Sequence, residues 1–354
     1  MFLLPAFAAL NGGWRRPSAV TGLRSLRLDV EWLLAVLVLT LLIGFRFHVG
    51  GDWENYLRNL RSVAPRELAD ALRMSDPGYA VLSWLSVRAG LGIYGVNLFG
   101  GLVFSIGLGM FCRSLPRPWL ALAVAIPYLV IVVAMGYSRQ GIALGLAMLG
   151  FVALGRQSIF WFLLWVLLAA TFHKTAVVLL PIAALAATRS RYWTTLWVGV
   201  AAFVAYTRFL EDSVDTLYSG YVQAQYQSQG ALVRILMIAV PAAILLLWRR
   251  QFLFTEAELR LWLWVALIAI ALLALVIATP ATTAVDRIGL YMLPLQLVVF
   301  SHVPDVFGVP ERRNEDLVWV VLIYYAAVQF VWLNFAANAG YWVPYRFYLL
   351  DAGA

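Results

Sequence analysis

Arg139, His173 and Lys174 are ionisable side chains set at the ends of long apolar runs. Charge beside a hydrocarbon layer is costly, and where it is kept it marks a functional site by default. The stretch that carries them opens with Met135-Gly136-Tyr137-Ser138-Arg139-Gln140. After Phe172-His173-Lys174-Thr175 it closes at Pro181. Between lie two apolar runs of roughly 13 to 18 residues, joined at Gly155-Arg156-Gln157-Ser158. Each is long enough to cross a bilayer if its polar ends are drawn to the interfaces. Two crossings return Arg139 and His173 to one face, so a guanidinium, an imidazole and an ammonium meet at one surface.

Arg139 opens a helix, where free N–H groups and a partial positive charge suit a phosphate. Its fork can hold two phosphate oxygens. The bland alternative is an arginine snorkelling to headgroups, but Gly141, Gly145 and Gly150 on the same helix favour close packing and a protein-facing arginine. His173 can exchange a proton near pH 7 or stabilise an anion when charged, although a lone histidine at a helix end is often structural. Lys174 is the only lysine in a chain of 26 basic residues, which mostly reflects an arginine-biased composition.

Other polar points have the same placement. Gly50-Gly51-Asp52-Trp53-Glu54-Asn55-Tyr56 follows the first apolar run. Its glycines allow close backbone approach, and Tyr56 shares a helix face with Asp52 if a helix starts here. Spacing does not separate a catalytic Asp52 from one that caps that helix. Asp286-Arg287 precedes Tyr291. It reads as a local ion pair or cap, or as a second arginine for a diphosphate. The tail Tyr341-Trp342-Val343-Pro344-Tyr345-Arg346-Phe347 suits an interfacial belt or a surface on which sugar rings stack. Three scattered histidines and one cysteine, Cys112, supply no zinc or iron cluster. No P-loop, GxGxxG, GxSxG or HExxH occurs in a suitable context. No cofactor or metal is expected.

The elements that must position these residues are membrane helices. The 354 residues are 63% hydrophobic and 12% charged, with a mean hydropathy of +0.83. Soluble domains carry about 45–50% apolar and about 25% charged residues, so an all-α polytopic membrane protein is expected, a single domain over 1–354. Apolar runs at 31–47, 91–112, 118–135, 139–154, 158–172, 174–187, 192–206, 231–248, 259–279, 287–302 and 317–336 give roughly eleven spans. Ser75 to Val87 reads as an interfacial helix. The net charge of +8 would suggest nucleic acid in a soluble chain; here it is topology information, and no nucleic-acid partner is expected. Short basic loops at Arg15/Arg16/Arg24/Arg27, Arg113/Arg117, Arg156, Arg189/Arg191, Arg249/Arg250/Arg260 and Arg312/Arg313 belong on the cytoplasmic side. The unusual polar residues, with the loops 48–90 and 207–230, fall on the other side. Met1 to Leu10 lacks a basic leader and is not expected to be a cleaved signal peptide.

Taken together, the ordered set resembles the EpsG family of exopolysaccharide polymerases, related in role to Wzy O-antigen polymerases. The matching pieces are Gly51-Asp52-Trp53-Glu54-Asn55-Tyr56, Asp76-Pro77-Gly78-Tyr79, Tyr137-Ser138-Arg139-Gln140 with Ala143, Phe172-His173-Lys174-Thr175-Ala176, Arg287 with Tyr291, and Val343-Pro344-Tyr345-Arg346. The family often has Glu-Pro where this chain has Asp76-Pro77. The resemblance implies a metal-independent, inverting GT-C-type glycosyltransferase in the bacterial inner membrane. Its substrate would be a polyprenyl (undecaprenyl) diphosphate-linked oligosaccharide, joined on the periplasmic side. The expected roles are Arg139 and Arg287 for the diphosphate, Lys174 and Arg346 in support, and Asp52 or else His173 as base. Tyr56, Gln140, Tyr291 and Tyr345 would orient sugar or phosphate. An O-antigen ligase would use the same arginines with a different acceptor. A transporter of lipid-linked sugar would show repeat halves and midplane polar groups, and neither is visible. Whether a chain-length regulator binds stays open.

Overall fold

The structure is a computed structural model, and it describes residues 1–11, 29–186, 191–205, 207, 230–280, 282–310 and 312–351. Among these, helices account for the regular structure, and the one β element is an isolated bridge between Arg46 and Phe347. The helices are α1 (Leu3–Asn11), α2 (Val30–Gly44), α3 (Trp53–Val63), α4 (Leu68–Leu72), α5 (Pro77–Arg88), α6 (Gly92–Arg113), α7 (Pro118–Ala125), α8 (Ser138–Gly155), α9 (Ile159–Phe172), α10 (Leu180–Ala186), α11 (Arg191–Ala205), α12 (Ala231–Trp248), α13 (Glu256–Ala278), α14 (Thr282–Gly289), α15 (Pro294–Val306), α16 (Glu315–Phe335) and α17 (Tyr348–Asp351). Among the described residues, each of the eleven apolar runs overlaps a helical segment. Five of these, α6, α8, α12, α13 and α16, are long and apolar enough to cross a membrane, and a sixth follows if a pair bent by 45° (Thr282–Met292 with Pro294–Val306) is one span. The chain is a multi-pass membrane protein. Val30–Gly44, Pro118–Ala134, Ile159–Phe172, Lys174–Ala186 and Tyr192–Val204 are apolar but shorter. The loop expected at 207–230 lies almost wholly outside the described residues.

α8 is the axis of the bundle: 78% of its apolar window is buried inside the protein, against 22% for α16. Small residues make that possible. A Cβ on Gly107 would lie 2.1 Å from the Gly145 carbonyl oxygen, and one on Gly145 would lie 2.7 Å from the Phe104 Cα. α6 and α8 therefore touch backbone to backbone, which is how membrane helices gain packing without a hydrophobic drive. The start of α8 is thereby seated inside protein.

Two breaks shape the end of the bundle where α8 begins. After α7, Pro127 interrupts the ladder and residues Ile126–Ala134 continue in a wider π register. Trp342 from the tail donates its indole N–H to the Ile131 carbonyl at 2.7 Å. Pro294 stands at the break and opens the second half of the bent pair at a first helical position, where its missing N–H costs nothing. Asp286, Arg287 and Tyr291 lie on the first half. The 75–87 segment forms α5, packed on α3, α6 and α9.

Candidate functional site

The N-terminal turn of α8 presents Ser138, Arg139 and Gln140, and each reaches a different neighbour. Ser138 Oγ accepts from Arg46 Nη2 at 2.6 Å. Arg46 follows the end of α2 and is 1% exposed. It also donates to the Ile43 carbonyl at 2.6 Å and to Asn97 Oδ1 at 2.9 Å, with the Trp53 ring 6.0 Å away. No carboxylate pairs with it among the described residues. A buried charge without a counter-ion is expensive. Sequence reasoning missed Arg46, although an arginine inside the first apolar run was itself a signal.

Arg139 and Lys174 meet across Asp76. Asp76 Oδ2 accepts from Arg139 Nη1 at 3.0 Å, and Oδ1 accepts from the backbone N–H of Lys174 at 3.3 Å. The motif Asp76-Pro77-Gly78-Tyr79 explains how. Pro77 starts α5 with a φ already helical. A Cβ on Gly78 would lie 2.5 Å from Thr171 Oγ1, so only glycine lets α5 approach the last turn of α9 this closely. Tyr79 is buried, with its ring 4.8 Å from the Arg139 guanidinium. Burial raises the Asp76 pKa, and Arg139 works against that rise. The two runs flanking Gly155-Arg156 thus bring Arg139 and His173-Lys174 to one end of the bundle, as the spacing implied.

His173 sits among these cations with both ring nitrogens shut off from solvent and without a hydrogen-bond partner. Burial first, then Arg287, Arg139 and Lys174, push its pKa down to about 3. The imidazole is therefore neutral at pH 7.

Gln140 connects α8 to the broken span. Its Nε2 donates to the Arg287 carbonyl at 3.0 Å, and Arg287 Nη1 donates to Gln140 Oε1 at 3.4 Å. The Arg287 guanidinium lies 5.9 Å from the Tyr137 ring centre. Of the readings the sequence left open for Asp286-Arg287, the local ion pair is not the one seen. Asp286 instead accepts both prongs of Arg234 on α12, at 2.6 and 2.7 Å. Adjacent helical residues point about 100° apart, so Arg287 faces the site while Asp286 faces α12. Tyr291 is fully buried beside Thr175 and Asp76.

Asp52 is half-buried at the N-cap position of α3 but makes no capping bond; its Oδ1 accepts from Asn55 Nδ2 at 3.0 Å. Its neighbour Tyr56 is buried with its ring 5.8 Å from Tyr79. Burial, and next the Asp52 carboxylate, push the Tyr56 hydroxyl up to about 12. The loop before Asp52 is held by Gly50 at φ +102°, where a Cβ would meet the Met135 carbonyl at 2.6 Å. The tail closes over it through Gly50 N–H to the Tyr341 carbonyl at 2.8 Å and Phe47 N–H to the Arg346 carbonyl at 3.0 Å. Tyr345 donates its hydroxyl to the Leu42 carbonyl, and the Arg346 side chain is exposed. These two residues rim the cluster and stand outside its buried centre.

Five cations (Arg46, Arg139, Lys174, Arg234 and Arg287) thus gather with three carboxylates, Asp52, Asp76 and Asp286. Among the described residues no group of three or more His, Cys, Asp or Glu is placed to hold a metal ion. An excess of donors and positive charge at a helix start is suited to an anion rich in oxygens. Residues 30–347 match the model of the EpsG family. No curated protein and no solved structure matches the chain.

Proposed function

The chain belongs to the EpsG family, and from that premise we propose that it is a membrane polysaccharide polymerase acting on polyprenyl-diphosphate-linked repeat units. The observation that carries this reading is the surplus of half-buried arginine and lysine around a neutral, unpartnered His173. In this reading the growing chain leaves its lipid diphosphate and joins the next lipid-linked unit at the periplasmic face of the inner membrane. The bond from the anomeric carbon to the diphosphate breaks, and the acceptor hydroxyl forms the new glycosidic bond with inversion. Arg139 and Arg287 take the charge that grows on the leaving diphosphate, with Lys174 in support and Arg346 at the rim. Preorganised cations in a water-poor site are the strongest means of such stabilisation.

The hydroxyl must lose a proton on the side away from the leaving group. Asp52, reached across Tyr56 and Tyr79 from Arg139, is the first candidate for base, and His173 the second. A placed base contributes about 10²–10⁴-fold. Tyr56, Gln140 and Tyr291 orient sugar and phosphate, and Tyr345 contacts sugar at the rim. The proposal includes eleven crossings of a single membrane domain, a GT-C-type architecture and independence from metal.

The test is purified protein in nanodiscs with the host's lipid-linked repeat unit and EDTA. We expect a ladder of longer lipid-linked products that disappears in Arg139→Ala and Arg287→Ala. A ladder that persists in both correctly inserted variants removes the diphosphate assignment. Transfer to a different acceptor without a ladder makes the protein a ligase.

A further inference from the structure

Asp76 performs none of the usual duties of its position. It precedes α5 as the N-cap residue but makes no capping bond. Its carboxylate instead reaches away from its own helix and bridges a guanidinium and a backbone N–H, on Arg139 and Lys174. One charged fork plus one amide at a chain turn is the donor set that a phosphate oxygen takes. The carboxylate therefore fills an anion seat made by two elements that meet only in the folded bundle. The two partners differ in access. Arg139 keeps 33% of its side chain exposed, whereas Asp76 keeps 9%. An incoming anion meets the guanidinium before it meets the carboxylate. The Tyr79 ring beneath Arg139 supports the guanidinium whichever anion it holds.

We propose that Asp76 is an internal stand-in for phosphate, holding the Arg139–Lys174 seat until a lipid diphosphate exchanges one of its oxygens for the carboxylate. This rests on the reading of Arg139 as a diphosphate ligand. The exchange explains how so much positive charge tolerates the empty state, and it keeps weakly binding anions out of the site. Asp76 is not the base in this scheme, because it stands on the leaving-group side.

The sign of a binding change decides the matter. Farnesyl diphosphate and inorganic phosphate are titrated calorimetrically into the full-length protein in detergent, as wild type, Asp76→Asn, Asp76→Ser and Arg139→Ala. Size-exclusion profiles identify the folded variants, and the serine variant decides if the asparagine variant fails to fold. We expect Arg139→Ala to weaken farnesyl diphosphate binding. We expect the Asp76 variants to tighten it by about tenfold and to gain measurable binding of inorganic phosphate, because the ligand no longer competes with a charged occupant. Unchanged or weaker binding in the folded Asp76 variants, with Arg139→Ala still impaired, overturns the exchange and leaves the diphosphate site standing. Wild-type binding in Arg139→Ala overturns the seat and the exchange together.

Discussion

A histidine enclosed with two arginines and a lysine gives up its proton long before neutrality. For His173, with a pKa depressed from 6.5 to about 3, the sign of the linkage follows directly. Between those two values the unfolded chain binds a proton that the folded protein refuses, so stability falls as pH drops through that window. We expect the thermal midpoint in detergent to fall between pH 7 and pH 5, and the fall to shrink in His173→Gln. An unchanged pH slope in that variant rules out His173 as the source. Arg46 presents a different case, a guanidinium held in a closed pocket by three hydrogen-bonded neighbours. Arg46→Ala takes the guanidinium donor from Ser138 and leaves Asn97 Oδ1 only the long bond from the Ser138 hydroxyl, at a cost of about 1–3 kcal/mol for groups stranded in this way. The expected result is a lower thermal midpoint and a slower enzyme. Arg46→Lys should recover only part of both, since one ammonium cannot span three acceptors in a fork geometry. Full recovery would show that charge alone matters.

At the scale of elements, the site depends on how closely helices approach. Gly78 admits the start of α5 against Thr171, and that contact brings Asp76 to the Lys174 amide. Gly78→Ala should destabilise the protein by about 1–3 kcal/mol through overpacking, offset slightly by the better helix propensity of alanine. Thr171→Ala in the same chain should return part of that loss, because it removes the nearest clashing atom. Thermal melts of the four members of this cycle give the coupling, and strict additivity would show that the contact does not constrain α5. The broken span works similarly. The first half of the bent pair carries Arg287, which trades hydrogen bonds with Gln140 on α8.

For the whole molecule, the proposed sidedness rests on the basic loops and is open to direct test. Cys112 is the only cysteine, so Cys112→Ser provides a background for introduced thiols. Arg58→Cys, on the exposed face of α3, should react with a membrane-impermeant maleimide in intact cells whose outer membrane is permeabilised. Arg156→Cys, between α8 and α9, should react only after lysis. The reverse pattern would place the site in the cytoplasm and end the periplasmic proposal. Composition and the periodic placing of apolar runs were enough to determine a multi-pass helical protein, because a hydrocarbon layer demands internally bonded helices whatever their neighbours. They also determined that Arg139 and His173-Lys174 share an end, since two runs joined by a tight turn must reverse. The carboxylate that neutralises Arg139 was beyond sequence, as were Arg46 beneath Ser138 and the choice of Arg234 over Arg287 as partner of Asp286. Each is a contact between residues 52 to 92 positions apart. Such pairings are set by helix rotation and close packing, and no local spacing encodes which way a charged side chain turns once several helices surround it.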